Sequence, residues 1–136
     1  MPTTRRLPFV PFRRALYSRL DGSLAESVFD WVPAGDQFPY VRIETPTAAD
    51  EHLKDLTIYQ LAATIHAFTK RKNSEAVEDL LDRILQSVSA SELTLEDNWS
   101  SLYMGNDLVQ MIPESSQEGA VQHGILRPRF KVWDTS

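Results

Sequence analysis

The stretch that decides the fold is Tyr59-Gln60-Leu61-Ala62-Ala63-Thr64-Ile65-His66-Ala67, followed by Lys70-Arg71-Lys72 and then an amphipathic segment reaching Val88. In its first part Tyr59, Leu61, Ala63, Ile65 and Ala67 fall on one side. Gln60, Ala62, Thr64 and His66 fall on the other, the period-two signature of a half-buried strand. After the basic triplet the period changes. Val77, Leu80, Leu81, Ile84, Leu85 and Val88 form a helical stripe, while Glu75, Glu78, Asp79, Asp82, Arg83 and Gln86 face away. A long strand feeding a helix that must lie back on a sheet is a unit of α+β domains. The spacing predicts a helix over 74–88, opened by Asn73 or Ser74, with Glu75 and Glu78 near its positive end.

Working outward, residues 1–11 hold Pro2, Pro8 and Pro11 and read as an extended basic arm, because proline disfavours helix at and before its own position. Phe12, Leu16 and Leu20 predict a short helix ended by Asp21-Gly22, with another helical turn over 24–28. Strands are expected over 28–32 and 38–44, the first closed by Pro33-Ala34-Gly35-Asp36. Residues 45–55 are polar and read as a loop, long for a tight hairpin. Strands over 99–103 and 108–112 flank Gly105-Asn106 as a turn. A last strand over 120–133 contains Pro128, which predicts an edge or bulged position. The expected product is one α+β domain over 12–136. Its antiparallel or mixed sheet has four to five strands and is covered on one face by helix 74–88 and the N-terminal helix.

The bulk properties suit one soluble globular domain: 136 residues, 10% aromatic and 24% charged. A net charge of −5 disfavours nucleic acid as the main partner. The chain has no cysteine, which excludes disulfides, thiolate nucleophiles and cysteine-ligated metals. No apolar run reaches the ~20 residues needed to span a bilayer, and no signal-peptide pattern follows the basic start.

Catalytic constellations are missing from the sequence. His52, His66 and His123 are far apart and lack the i, i+4 spacing of a zinc helix. Asp50-Glu51-His52 with Asp55 resembles a hard-metal cluster but lacks the glycine and alternating oxygens of a calcium loop, and reads as a solvated loop. None of the serines stands in a nucleophile elbow, and there is no glycine-rich phosphate loop. The paired carboxylates of helix 74–88 read as a solvated face. No cofactor is expected. What remains is a charge asymmetry. Arginines crowd the N-terminal segment, Lys70, Arg71 and Lys72 close a strand, and Arg127, Arg129 and Lys131 alternate on the last one opposite Leu126, Phe130 and Val132. Such a chain can meet its neighbours basic face to acidic face. The candidate interface residues are Arg13, Arg14, Asp50, Glu51, His52, Lys70, Arg71, Lys72, Arg127, Arg129 and Lys131.

The order of segments is itself recognisable. Ala15-Leu16-Tyr17-Ser18-Arg19-Leu20 precedes Val28-Phe29-Asp30-Trp31-Val32-Pro33. Then come Phe38-Pro39-Tyr40-Val41-Arg42-Ile43, Thr64-Ile65-His66-Ala67-Phe68-Thr69, the amphipathic helix, and His123-Gly124-Ile125-Leu126-Arg127-Pro128-Arg129-Phe130. Over about residues 13–133 this resembles the tail-completion family of long-tailed phages, the tail terminator or tail-to-head joining proteins. The resemblance implies a structural virion protein without an enzymatic step. Its copies would form a homo-hexameric ring on the head-proximal end of the tail tube, stop tube polymerisation and present a surface to the head connector. The partners it implies are copies of itself, the tube protein and a head-connector or head-closure protein. DNA would pass through the channel without specific binding, no membrane would be involved, and assembly would take place in the host cytoplasm. Two hypotheses go with it: that loop 45–55 reaches the tube or a neighbour, and that an acidic lining faces the channel. The alternatives are another neck component, such as a head-closure or adaptor protein, and a cytoplasmic small-molecule binding or regulatory domain with a deep apolar pocket. A hydrolase comes last.

Overall fold

The computed structural model describes residues 4–31, 38–70, 73–116 and 119–136. Arg71 and Lys72, and the expected turn over 33–36, lie outside the described residues. The elements run α1 (Phe9–Ser23), β1 (Ser27–Phe29), β2 (Tyr40–Ile43), β3 (Thr47–Asp50), β4 (Ile58–Ala62), β5 (Ile65–Thr69), α2 (Glu75–Ser89), β6 (Trp99–Ser116) and β7 (Gly119–Asp134). Two helices on a seven-stranded, mostly antiparallel sheet make an α+β fold.

Seven strands exceed the expected four to five because two long strands are each interrupted. β4 and β5 keep one register against β7: Ile58 lies opposite Trp133, Ala62 opposite Arg129, Ile65 opposite Leu126 and Thr69 opposite Gln122. They are one lane broken at Ala63 and Thr64, and the break faces Pro128. The carbonyl of Pro128 accepts the Ala63 N–H at 3.1 Å, but proline has no N–H to return. β2 and β3 form a second lane along the outer side of β5 and β4, slipping by one residue across Glu44, Thr45 and Pro46. The sheet therefore has five lanes: β1, β2 with β3, β5 with β4, β7, and β6. β1 runs parallel to β2; the other pairings are antiparallel.

Several expectations are corrected. Residues 45–55 are not a loop, since β3 lies within them and pairs with β4. Pro128 sits in a strand paired on both sides, so it is not at an edge, but the expected bulge is there: the β6–β7 register shifts on either side of its partner Asn106. Gly105 and Asn106 do not turn the chain; β6 runs on through them with register shifts between Tyr103 and Leu108, and Gly105 takes φ 104°. The arm stops earlier than residue 11: α1 starts at Phe9, with Pro8 at its cap and Pro11 in the first turn, where a missing N–H costs nothing. No extra helical turn follows α1, because Leu24 is extended. At the start of α2, Asn73 supplies the capping oxygen, accepting the Glu75 N–H at 3.2 Å.

The alternation at residues 59–67 holds. Tyr59, Leu61, Ala63, Ile65 and Ala67 are all buried against the helices. Phe12, Leu16 and Leu20 of α1 and Val77, Leu80, Ile84 and Val88 of α2 complete the same core. Each such side chain contributes about 1.5–3 kcal/mol by burial. Phe12 meets Phe130 of β7 edge to face at 5.1 Å. α2 lies so close to β7 that a Cβ at Gly124 would stand 2.8 Å from Leu81 Cδ1 and Val77 Cγ2. Both helices cover one face, and the other face is left open.

Candidate functional site

The open face carries a row of rings that crosses the sheet. Trp31, just after β1, meets Phe29 at 5.5 Å, and Phe29 meets Tyr40 of β2 at 5.9 Å. Tyr40 stacks on Phe68 of β5 at 4.7 Å, and Phe68 stacks on His123 of β7 at 4.3 Å. None of these rings belongs to the helix-covered core. Strand alternation puts them there: Tyr40 and Phe68 are paired residues, as are Phe68 and His123.

The row ends in a polar relay. His123 Nδ1 lies 2.7 Å from Glu114 Oε1 on β6, and His123 Nε2 lies 2.7 Å from His66 Nδ1. A carboxylate only accepts, so His123 Nδ1 donates to Glu114, and one proton is shared across the contact between the two rings. On its other side His66 presents Nε2. That atom is buried without a hydrogen bond, 3.4 Å from the Glu44 carboxylate. Burial, then Arg42 and His123, hold the His66 pKa below its usual 6.5. The three histidines that look unrelated in sequence thus include one coupled pair. The signal was present, since both residues face outward on strands, but only the β5–β7 register joins them.

The other sequence-predicted residues fall on separate surfaces. Arg127, Arg129 and Lys131 lie on the open face of β7, opposite the buried Leu126, Phe130 and Val132, as their alternation requires. Arg127 Nε donates to Asp107 Oδ1 at 2.7 Å, while Arg129 Nε is buried without a partner. Asp50, Glu51 and His52 stand at the end of β3, where the Ile58 N–H donates to His52 Nδ1 at 2.9 Å and Asp50 lies 3.7 Å from His52 Nε2. His52 therefore pins its own turn. Lys70 is exposed just beyond β5. Arg13 and Arg14 share the outer side of α1, Arg13 loosely with Asp30 at 3.9 Å and Arg14 with Glu96 at 2.8 Å. The arm residue Arg6 forms a two-pronged bond to Asp134, at 2.9 and 2.7 Å, and lies over the Trp99 ring at 4.7 Å.

No pattern in the residues marks β6 as an open edge. This 18-residue strand pairs with β7 and, among the described residues, with no other strand. Leu102, Met104, Val109 and Met111 are exposed along it. On the helix-covered side an open groove lies between α2 and β6, lined by Leu85, Val109 and Met111 and by Glu75, Glu78 and Asp82. Among the described residues no group of three or more histidines, cysteines or carboxylates could hold a metal ion. No described helix is long and apolar enough to cross a membrane.

The fold and these surfaces define an open-sheet α+β protein whose prominent features are a flat ring-lined face and a long exposed edge. The model of the family described as tail completion protein gp17 matches residues 14–130. The chain belongs to that family, and it is a structural protein of the virion tail. Its fold is similar to that of a chain in the virion of a native gene transfer agent particle, with TM-score 0.72, 16% identity, and 90% of this chain and 95% of that one covered. It is also similar to the gp17 protein of bacteriophage SPP1, with TM-score 0.59, 19% identity, and 92% and 91% covered. No curated protein matches.

Proposed function

We propose that copies of this chain close into a ring on the head-proximal end of the tail tube, end tube growth and offer a docking surface to the head connector. Family membership over residues 14–130 is the observation that carries this reading. The surface supports it in kind: a tube cap acts by contact, and this molecule presents an open sheet face, an 18-residue strand with no further partner among the described residues, and separate charged patches. A head-to-tail contact between unlike patches generates a ring when the rotation closes and a filament when it does not. The ring of about six copies, the tube protein and the head connector are the partners of this reading. DNA passes through the annulus without specific binding, and no catalytic step is involved.

The test is assembly without the protein. Particles made in its absence should separate into full heads and unjoined tails, with tubes of irregular length by electron microscopy, and added purified protein should restore joining. Joined particles of normal length without the protein would overturn the reading. Copurification of the protein with isolated heads instead of tails would assign it to the head side of the neck.

A further inference from the structure

We propose that the groove between α2 and β6 receives α1 of a second copy of this chain. The inference rests on the ring reading above and specifies which surfaces meet. Of the eight large apolar side chains exposed among the described residues, four lie along β6 and two beside the outer side of α1. Val109 and Met111 of β6 line the groove, Leu102 pairs with Lys131 on the open face, and Val10 and Trp31 line a hollow against α1. A strand edge that carries exposed apolar side chains and has no further strand partner among the described residues is an aggregation hazard unless something covers it.

Charge says what covers it. α2 carries Glu75, Glu78, Asp79 and Asp82 against the single Arg83, and Asp79 is the one of these that pairs with that arginine. α1 carries Arg13, Arg14 and Arg19 against the single Asp21. Val10, Arg13 and Arg14 follow i, i+3, i+4 spacing, so α1 has a second stripe beside its buried Phe12, Leu16 and Leu20, continued at i+7 by Tyr17, which packs partly against the core. An apolar and basic helix stripe matches an apolar groove with an acidic wall. The present partners of Arg13 and Arg14 are exposed carboxylates, and such pairs hold weakly enough to exchange. A two-fold contact through the groove would set two acidic walls against each other, which disfavours an isologous dimer. Nucleic acid is disfavoured by the same wall. One copy's α1 in the next copy's groove uses two different surfaces, as a head-to-tail ring requires.

The experiment uses two charge-reversed full-length chains, Glu78→Lys/Asp82→Lys and Arg13→Glu/Arg14→Glu, with folding checked by circular dichroism and association by sedimentation velocity. Each variant alone should stay monomeric at concentrations where the wild type assembles. An equimolar mixture should assemble again, because alternating copies restore opposite charges at every contact. Should either variant unfold, Glu78→Gln/Asp82→Gln serves instead and should raise the dissociation constant roughly tenfold or more. Variants that assemble like the wild type would overturn the inference and leave the ring standing, with the groove then facing the tube or connector. A mixture that stays monomeric would overturn the pairing of these two patches. A wild type that is monomeric at every concentration would overturn the ring reading as well.

Discussion

The buried nitrogen of His66 makes this residue an acid-sensitive point in the fold. Arg42, His123 and Glu44 are the charged or titratable groups that act on it, and burial adds to the first two in keeping the ring neutral. Above pH 6.5 the ring is neutral in folded and unfolded chains alike. Below 6.5 the unfolded chain takes a proton that the folded ring declines, so stability falls with pH until the lower folded pKa is passed. Denaturant midpoints of the wild type should drop between pH 7.5 and 5.5, and His66→Gln should flatten that step. A second step lies lower. Asp134 is held below its usual 3.8 by Arg6, and Glu26 below its usual 4.5 by Arg83, which grips it at 2.7 Å with both terminal nitrogens. Their contribution is present above the ordinary carboxylate range and is lost as pH falls through the depressed values. Arg6→Leu should cost about 1–2 kcal/mol at neutral pH and shrink that lower step, as measured by urea unfolding across pH 2–5. The composition shows these groups but not their partners: Arg6 and Asp134 are 128 positions apart.

At the scale of elements, legibility follows from whether one face of a segment is buried. The strand over 59–67 and the stripe of α2 are readable because each alternates or repeats against the core. β3 is not, because Thr47, Ala48, Ala49 and Asp50 are all exposed and the strand exists only through its pairing with β4. Gly105-Asn106 misleads for a related reason, since a positive φ serves a bulge as well as a turn. Pro128 marks the bulged stretch correctly but not an edge, because the lane on its other side tolerates the missing hydrogen bond. The tightest junction between elements is Gly124 under α2. Gly124→Val would drive its side chain into Leu81 and Val77 and should cost about 1–3 kcal/mol, read as a lower thermal midpoint. Val109→Asn, on the exposed edge of β6, should leave the midpoint of the isolated chain nearly unchanged.

For the whole molecule, the order of segments exposes the family in the sequence, while the surfaces that would do its work depend on pairings between distant strands. Arg13 and Arg14 stand out as charges in the sequence, but the groove opposite in sign forms only where α2 lies beside β6, which no periodicity states. The same architecture divides the backbone by protection. β7 is paired on both sides over much of its length and is roofed by helices, so its amides should exchange slowest. β1 has three residues, and β6 pairs on one side only among the described strands, so both should exchange faster in dilute solution. When copies associate through α1 and the groove, exchange should slow in β6, α1 and the exposed side of α2, while β7 stays as it was. Hydrogen exchange read by mass spectrometry below and above the association concentration measures this directly. Protection gained instead at Tyr40, Phe68 and Lys131 would place the contact on the open sheet face, and the groove would lose its assigned occupant.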